Sequence, residues 1–357
     1  MAFSINDHAA LWDASFDTII DVRSPAEFAE DHVPGAINLP VLSDEERAHV
    51  GTVYVQDSPF KARKIGAALV AKNAAKHLEG PLAGMDGGWR PLVYCWRGGQ
   101  RSGSFASILS QIGWRVETLT GGYQSYRRMV VNSLYERELP CEVILLDGNT
   151  GTAKTELLTR LPDLGVQTLD LEHMANHRGS ALGGQGAQPS QKAFESRLSA
   201  ALARLDPTRP VLVEAESSRV GRLNVPPRLF AAMRGARRVA VDAPVAARAH
   251  YLCRAYADLT QNPELLIERL SRLTRLQGHD RVRIWSRLAT EGQYHALASA
   301  LIEHHYDPSY AKLRKAMPAP EAVLRAESLD PAGIDLLACK VAKAVNGLAA
   351  HQCATTV

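Results

Sequence analysis

The 357-residue sequence predicts an α/β fold: two successive parallel-sheet blocks followed by a mostly helical C-terminal region. Three observations predict it. Short apolar runs bounded by turn residues alternate with helical stretches, the pattern of parallel strands covered on both faces. In each block one such run leads straight into a glycine-bearing loop and then a helix. The length is that of about two domains at roughly 100–200 residues each.

In the first block the strands are Thr18–Val22, Ala36–Leu39, Leu92–Tyr94 and Val116–Leu119, with a Lys- and Ala-rich helix over Phe60–Leu78. The second block has strands at Val143–Leu146, Thr168–Leu171, Val211–Ala215 and Val239–Val241. The change of block falls near Arg127–Cys141, where a Tyr/Arg-rich helical stretch ends in Leu139-Pro140. Beyond Pro244 the pattern is helical. Asn262, Pro263 and Glu264 supply an N-cap, a first-turn proline and a first-turn acid, and Leu266, Leu270, Leu273 and Leu276 recur at helical spacing. The small, polar tail after Gly347 is expected to fray. The expected domains are 1–130, 131–318 and a C-terminal helix with its tail at 319–357.

Composition excludes several classes. A 46% hydrophobic and 22% charged chain is not wholesale disordered, and a net charge of +3 does not by itself imply nucleic acid. No apolar run approaches the roughly 18 residues of a membrane span, and the N-terminus meets acidic residues at once, without a basic and then apolar leader. Cys95, Cys141, Cys253, Cys339 and Cys353 are odd in number, scattered and free of CxxC spacing. That pattern argues against a disulfide framework or a zinc knuckle and for a reducing, cytoplasmic location.

The segment PLVYCWRGGQRSGS, residues 91–104, carries the first candidate site. A strand ends at Tyr94, Cys95 follows, and Arg101-Ser102 open a helix after a glycine turn. Gly98 and Gly99 let backbone N–H groups converge on one point, the helix N-terminus adds positive potential, and Arg97 and Arg101 add charge. A thiol there is expected to ionise readily and act as a nucleophile beside an anion held by Arg97, Gly98, Gly99, Arg101 and Ser102. The plainer reading is a buried strand-end cysteine in a glycine turn. The other cysteines lack such surroundings and read as inert thiols.

Cys95, five residues, Arg101, Ser102 is the C-x5-R-[ST] spacing of cysteine phosphatases and equally the active loop of a sulfurtransferase. Upstream, Asp21-Val22-Arg23-Ser24 with Glu27-Phe28, and then Phe28 to Leu39 (FAEDHVPGAINL), resemble the opening and signature of the rhodanese family. Leu119-Thr120-Gly121-Gly122-Tyr123 is similar to that family's closing segment. The resemblance implies a rhodanese-like fold over residues 10–130. Tyr94, where tyrosine phosphatases carry His, counts against the phosphatase.

The second candidate site follows Val143–Asp147 (VILLD): Gly148, Asn149, Thr150, Gly151, Thr152, Ala153, Lys154 and Thr155 run into a helix. Strand, glycine loop, Lys-Thr and helix is the phosphate-binding P-loop context, with amides cradling phosphate, Lys154 as a point charge and Thr155 placed for Mg²⁺. The consensus has glycine where Ala153 stands. Alanine is strained at positive φ and would add a methyl facing the phosphates, which counts against efficient nucleotide hydrolysis. The plainer alternative is a strand–helix turn without a ligand.

Three further clusters are candidates for a substrate site. Glu214 and Glu216, with Arg219 nearby, sit at a strand end and share a face by period two. Asp170 and Glu172 precede His177-Arg178-Gly179-Ser180, whose glycines suggest a loop near a ligand. A pair of histidines is more often structural than metal-binding, and no third ligand completes a zinc site, so no metal centre is expected. Between Lys192 and Lys312 every basic residue other than His is Arg, including Arg269, Arg272, Arg275, Arg281, Arg283 and Arg287. That is compatible with an RNA-facing surface or an ordinary solvated helix face.

Taken together, YCWRGGQRS, GNTGTAKTELL, DLEHMANHRGS, EAESSRVGR and HHYDPSY resemble the tRNA 2-selenouridine synthase family over residues 10–312. That resemblance implies a P-loop NTPase-like second domain. It also implies a transferase that replaces the sulfur of wobble 2-thiouridine in tRNA by selenium from selenophosphate, with S-geranyl-2-thiouridine from geranyl diphosphate as intermediate. On this reading Cys95 serves selenation, the 97–102 loop holds selenophosphate, and the 148–155 loop holds a phosphate group, with Mg²⁺ compatible beside it. The implied partners are tRNA and a selenophosphate-producing enzyme, with no membrane and no tightly bound cofactor. The runner-up is a rhodanese-type tRNA sulfurtransferase with ATP-dependent uridine activation, which Ala153 disfavours. An RNA-binding module with a degenerate rhodanese is disfavoured because Cys95 and both arginines are present.

Overall fold

The computed structural model describes residues 2–97, 99–180, 182–184, 186–215, 217–314 and 318–355. They form two compact units. The first runs to Glu138 and takes in Pro189–Ala203; the second comprises Leu139–Gln188 and the chain from Arg204 onward.

In the first unit β1 (Ala2–Phe3), β2 (Thr18–Asp21), β3 (Ile37–Asn38), β4 (Pro91–Tyr94) and β5 (Glu117–Leu119) form one parallel sheet in the order β1-β5-β4-β2-β3. Every residue of the central β4 is buried, as its continuous apolar run requires. Asp21 pairs with Tyr94, so the Asp-Val-Arg end of β2 lies beside the strand end that precedes Cys95. The expected strands recur, three of them shortened by one or two residues and the Leu92–Tyr94 strand lengthened by Pro91; β1, at two residues, is too short to show a period. The helix Gln191–Leu202 belongs here, although the sequence assigned it to the second domain. Phe194 and Leu198 are fully buried, Ser196 donates to Asp31 at 2.9 Å, and Ser199 meets the His8 ring at 2.9 Å. Burying these hydroxyls is tolerated because each has a partner within the unit.

The second unit has β6 (Val143–Gly148), β7 (Gln167–Leu169), β8 (Val211–Glu214), an antiparallel hairpin of β9 (Arg219–Val220) and β10 (Leu223–Asn224), β11 (Arg237–Asp242) and β12 (Ala322–Arg325). Its parallel sheet runs β12-β11-β6-β8-β7. The chain leaves β6 to one side for β7 and β8 and crosses to the other for β11 and β12. The strand order therefore reverses at β6, and such sheets bind ligands beyond the carboxyl end of that point.

Three expectations are corrected. The strand expected at Thr168–Leu171 stops at Leu169, because the Asp170 carboxylate accepts from the His173 amide at 2.7 Å and starts the helix Leu171–Met174. The leucine ridge ends at Leu273: the helix Pro263–Ser271 has stopped two residues before it, and Leu276 is 72% exposed. The expected C-terminal helix is present, but residues 319–355 belong to the second unit and do not stand apart from it. β12 extends the sheet, and the helix Pro331–Thr355 buries Ile334, Leu337, Val341 and Val345 in the second unit's core. No breaker follows Gly347 to stop that helix.

Candidate functional site

Cys95 is buried at the end of β4. The Ser102 hydroxyl, in the first turn of the helix Gln100–Ile112, lies 3.2 Å from Cys95 Sγ and 3.3 Å from the Gly99 carbonyl, so one proton serves both. The segments that carried the rhodanese resemblance meet around this strand end. Arg23 is fully buried, pairs with Asp21 at 2.6 Å, donates to the Asp31 carbonyl at 2.6 Å and lies 4.0 Å from the Tyr123 ring centroid. The Tyr123 amide donates to the Cys95 carbonyl at 2.8 Å, its ring packs on Trp96, and its hydroxyl donates to Asp31 at 2.8 Å. Burial pushes the Asp31 carboxyl up. The Tyr94 hydroxyl accepts from the Val33 amide at 3.1 Å.

Arg101 is already answered by a carboxylate. Its guanidinium donates to Glu27 at 2.8 Å, and Arg47 lies 3.5 Å from the same group. Burial pushes Glu27 up, but the hydrogen bond and charge of Arg101 outweigh it and hold the carboxyl below its usual range. Arg101 thus ties the helix after the cysteine loop to the helix Pro25–Glu30, and Arg97 and Gly99 are the exposed members of the loop. Gly98 lies outside the described residues.

The second loop follows β6. A Cβ on Gly148 would stand 2.5 Å from Thr152 Oγ1 and 3.0 Å from the Val241 carbonyl; Gly151 has φ +86° and a Cβ there would meet Leu252 and Arg248 within 3.1 Å. Both positions require glycine. Ala153 takes φ +61°, ψ +26°, the left-handed conformation that the consensus glycine adopts without strain and that costs an L residue roughly 1–2 kcal/mol. Ala153 is 2% exposed and belongs to the buried cluster that includes Leu157 and Leu158, while it also lines the cleft over the loop.

Lys154 Nζ donates to the Gly148 carbonyl at 2.8 Å and lies 5.7 Å from the Tyr310 ring. Thr155 donates to Glu172 at 3.0 Å, and the Glu172 amide donates to Glu214 at 2.7 Å. The loop is braced from outside. Arg248, nearly inaccessible, donates to the Thr150 carbonyl at 2.9 Å and pairs with Asp307 at 2.6 Å, and Asn149 also donates to Asp307 at 2.9 Å. At the strand end Asp147 accepts from the Gly148 amide and pairs with Arg238 at 2.5 Å and Arg314 at 3.0 Å. Burial pushes Asp147 up, and the two arginines outweigh it and lower it. The site reading from sequence missed Arg238, Arg248, Asp307, Tyr310 and Arg314. Asp307 and Tyr310 lie in HHYDPSY, a motif quoted without a role, and single arginines in an Arg-rich stretch carry no mark of burial.

A cleft of about 350 Å³ opens over this loop, walled by Thr150–Thr155, Glu172, His177, Arg178 and three tyrosines, Tyr251, Tyr256 and Tyr310. Burial pushes the His177 imidazole down, toward the neutral form. Arg178 pairs with Asp258 at 2.9 Å and lies 4.6 Å from the Tyr256 ring. Of the other sequence candidates, Gly148 and Asn149 shape the loop's base, Glu214 stands behind Glu172, and Asp170 is a helix cap raised by burial. Arg219 is not brought to the cleft: it is exposed on the β9–β10 hairpin and bonds Asn224 at 3.2 Å. Glu216 lies outside the described residues. A second, apolar cavity of about 60 Å³, lined by Leu259, Leu266, Leu297 and Tyr306 among others, shares Thr150, Leu252 and Tyr256 with the cleft.

The remaining candidates are plainer. Arg272, Arg283 and Arg287 pair with Glu268, Asp280 and Glu291 on their own helices, and Arg269 donates to the Leu182 carbonyl, which makes a solvated helix face. Burial and the charges of Asp206 and Glu142 raise the Cys141 thiol to about 11, and burial raises Cys253, in keeping with inert thiols. Among the described residues no group of three His, Cys, Asp or Glu could hold a metal ion, and no helix is long and apolar enough to cross a membrane.

Fold and loops together define a protein with a rhodanese-type cysteine domain followed by a P-loop-type domain. A model of the rhodanese-like domain matches residues 6–129, and the model described as the tRNA 2-selenouridine synthase AAA domain matches residues 141–326. The chain belongs to the tRNA 2-selenouridine synthase family. Relatives of that name include one from Nitrosomonas europaea, 37% identical over 250 residues (68% of this chain, 64% of the relative). Another, from Pseudomonas syringae pv. tomato, is 38% identical over 66% of this chain and 64% of the relative. A third, from Hahella chejuensis, is 35% identical over 73% and 67%. The chain thus spans just under two thirds of the length of the first two.

Proposed function

We propose that the chain is a tRNA-modifying transferase that replaces the sulfur of wobble 2-thiouridine by selenium, in two steps. In the first, the 2-thiouridine sulfur attacks C1 of geranyl diphosphate: an S–C bond forms, the C–O bond breaks, diphosphate leaves and the base loses its N3 proton. In the second, the selenium of selenophosphate adds at C2, the alkylated sulfur departs as geranylthiol, taking a proton, and water cleaves the Se–P bond, so that phosphate leaves and selenium stays on C2. Alkylation makes sulfur a leaving group that thiocarbonyl sulfur is not.

The observation that carries this reading is the apolar cavity sharing Thr150, Leu252 and Tyr256 with the cleft over the glycine loop. A phosphate site that opens on an apolar slot suits a prenyl diphosphate better than a nucleotide. Sixty Å³ holds on the order of four water-sized probes, about one isoprene unit, so the rest of a geranyl chain requires the walls to yield. Loop amides, the helix N-terminus and Lys154 stabilise the departing diphosphate without any attack on a γ-phosphate. Thr155, Glu172 and Glu214 suit Mg²⁺ bound with that diphosphate. Cys95 serves the second step, with the 97–102 loop holding selenophosphate, a donor supplied by a selenophosphate-producing enzyme.

Nucleoside mass spectrometry on 2-thiouridine-containing tRNA tests this. Purified protein with geranyl diphosphate alone is expected to give S-geranyl-2-thiouridine, and adding selenophosphate is expected to give 2-selenouridine. Neither product under any condition overturns the reading in favour of a sulfurtransferase.

A further inference from the structure

The helices Asp44–Gln56 and Pro59–Glu79 flank a groove of about 570 Å³ that ends at Gln100 and Arg101, where the helix after the cysteine loop begins. Its size is within the roughly 300–1,000 Å³ range of small-molecule sites. Nothing described above uses it. Three arginines line it, Arg47, Arg63 and Arg101, and no acidic residue does among the described residues. Glu27 answers both Arg47 and Arg101, and Arg63 donates to the Pro59 carbonyl, so the groove keeps a positive excess.

The floor is small. A Cβ at Gly51 would meet nothing within 4 Å, and one at Gly66 would meet only Val50, at 3.6 Å. Over that floor stands Tyr54, 54% exposed. An apolar lining with two glycines, one exposed ring and three arginines suit stacking of a base with its phosphates answered alongside.

We propose that this groove binds the single-stranded loop of the RNA substrate next to the wobble base, one base stacking on Tyr54 and the adjoining phosphates meeting Arg47 and Arg63. This rests on the proposed function, which brings the reacting base to the cysteine loop at the groove's end. Charge selects RNA over a protein partner: a protein-docking patch has no need of three arginines, two of them sharing one glutamate and the third answered only by a backbone carbonyl.

The test is fluorescence anisotropy with a short synthetic RNA hairpin whose loop carries one 2-thiouridine. Tyr54→Ala is expected to weaken binding about tenfold, while Tyr54→Phe, which keeps the ring, binds like the wild type. Arg63→Gln is expected to weaken binding and to lower the slope of log affinity against log salt by about 0.7. Both positions are exposed, so the variants should melt like the wild type, which circular dichroism checks. Tight RNA binding that Tyr54→Ala and Arg63→Gln leave unchanged overturns the groove while the proposed function stands. No RNA binding by the wild type overturns the function and the groove with it. Unchanged RNA binding with self-association lost in Tyr54→Ala would give this face to a protein instead.

Discussion

The cysteine loop and the glycine loop begin alike and end differently. Each follows the central strand of a five-stranded parallel sheet and runs into a helix N-terminus. In the cysteine loop the described glycine, Gly99, has open space where a Cβ would go, and the specific contacts hold the strand and the thiol: Tyr94, Arg23, Tyr123 and Ser102. In the glycine loop the contacts hold the backbone itself. Gly148 and Gly151 are sterically required, and Arg248, Asn149 and Asp307 pin the carbonyl side. One loop carries a thiol and the other a set of amides with a lysine. A shared strand–loop–helix geometry therefore stands in two different side-chain settings.

The widest separation between the two is expected from crossed variants. Cys95→Ala should lower selenium incorporation on the order of 10⁴-fold or more, since no neighbouring group replaces the thiol, while S-geranyl-2-thiouridine accumulates. Lys154→Ala should lower geranyl transfer about 10²–10³-fold by removing one preorganised charge from the departing diphosphate, and leave selenium incorporation into pre-geranylated RNA intact. Nucleoside mass spectrometry reads both. If each variant loses both steps equally, the division of labour between the loops fails.

A next smaller effect concerns the brace under the glycine loop. Asp147→Asn leaves Arg238 buried without its charge partner and is expected to cost about 3 kcal/mol, at the low end for a broken buried pair because Arg314 is one-third exposed. The same pair sets an acid limit. The folded Asp147 carboxyl lies below its ordinary value, so its contribution is present above the unfolded pKa near about 4 and is lost as pH falls through the lower folded value. Denaturant unfolding at neutral and acid pH should show the wild-type advantage over Asp147→Asn shrinking only below about pH 4. A constant difference would show that the ion pair is not what stabilises this end of β6.

Both loops were legible in the sequence because each is local: a strand, a few glycines and a helix start in one continuous stretch. The rhodanese segments were legible for the same reason, but their purpose was not. Asp21-Val22-Arg23 and Gly121-Gly122-Tyr123 lie a hundred residues apart and meet only in the fold, where the Val22 amide donates to the Tyr94 carbonyl and the Tyr123 amide to the Cys95 carbonyl. The helix Gln191–Leu202 fell in the expected second domain because it lies inside the continuous stretch 131–318, whereas the partners of Ser196 and Ser199 are Asp31 and His8, far upstream. Arg248 and Asp307 were illegible as a brace because the pairing spans 59 residues and neither residue type is unusual where it stands.

A finer comparison uses one alanine in each loop. Gly151→Ala places a Cβ 3.0 Å from Leu252 Cγ and 3.1 Å from the Arg248 carbonyl on a backbone at φ +86°, and is expected to cost about 2–3 kcal/mol. Gly99→Ala enters open space at φ −102° and should cost no more than about 1 kcal/mol. Equal losses in denaturant midpoint would mean that the cysteine loop is as tightly specified as the other.

The smallest effect is the most diagnostic of how the glycine loop departs from its consensus. Ala153→Gly relieves a left-handed alanine, a gain of roughly 1–2 kcal/mol, but adds about 0.5–1 kcal/mol of unfolded-state freedom and removes a buried methyl worth about 0.8 kcal/mol. The terms nearly cancel, so stability should move by less than about 1 kcal/mol. Because Ala153 is 2% exposed and counts with the buried core, affinity for inorganic pyrophosphate should stay within about threefold, or roughly 0.7 kcal/mol. Calorimetry with pyrophosphate decides it. A tightening of tenfold or more (about 1.4 kcal/mol) in Ala153→Gly would mean that the alanine limits phosphate binding and that its methyl meets the ligand after all. Unchanged affinity would mean that the loop tolerates alanine there at the cost of backbone strain alone.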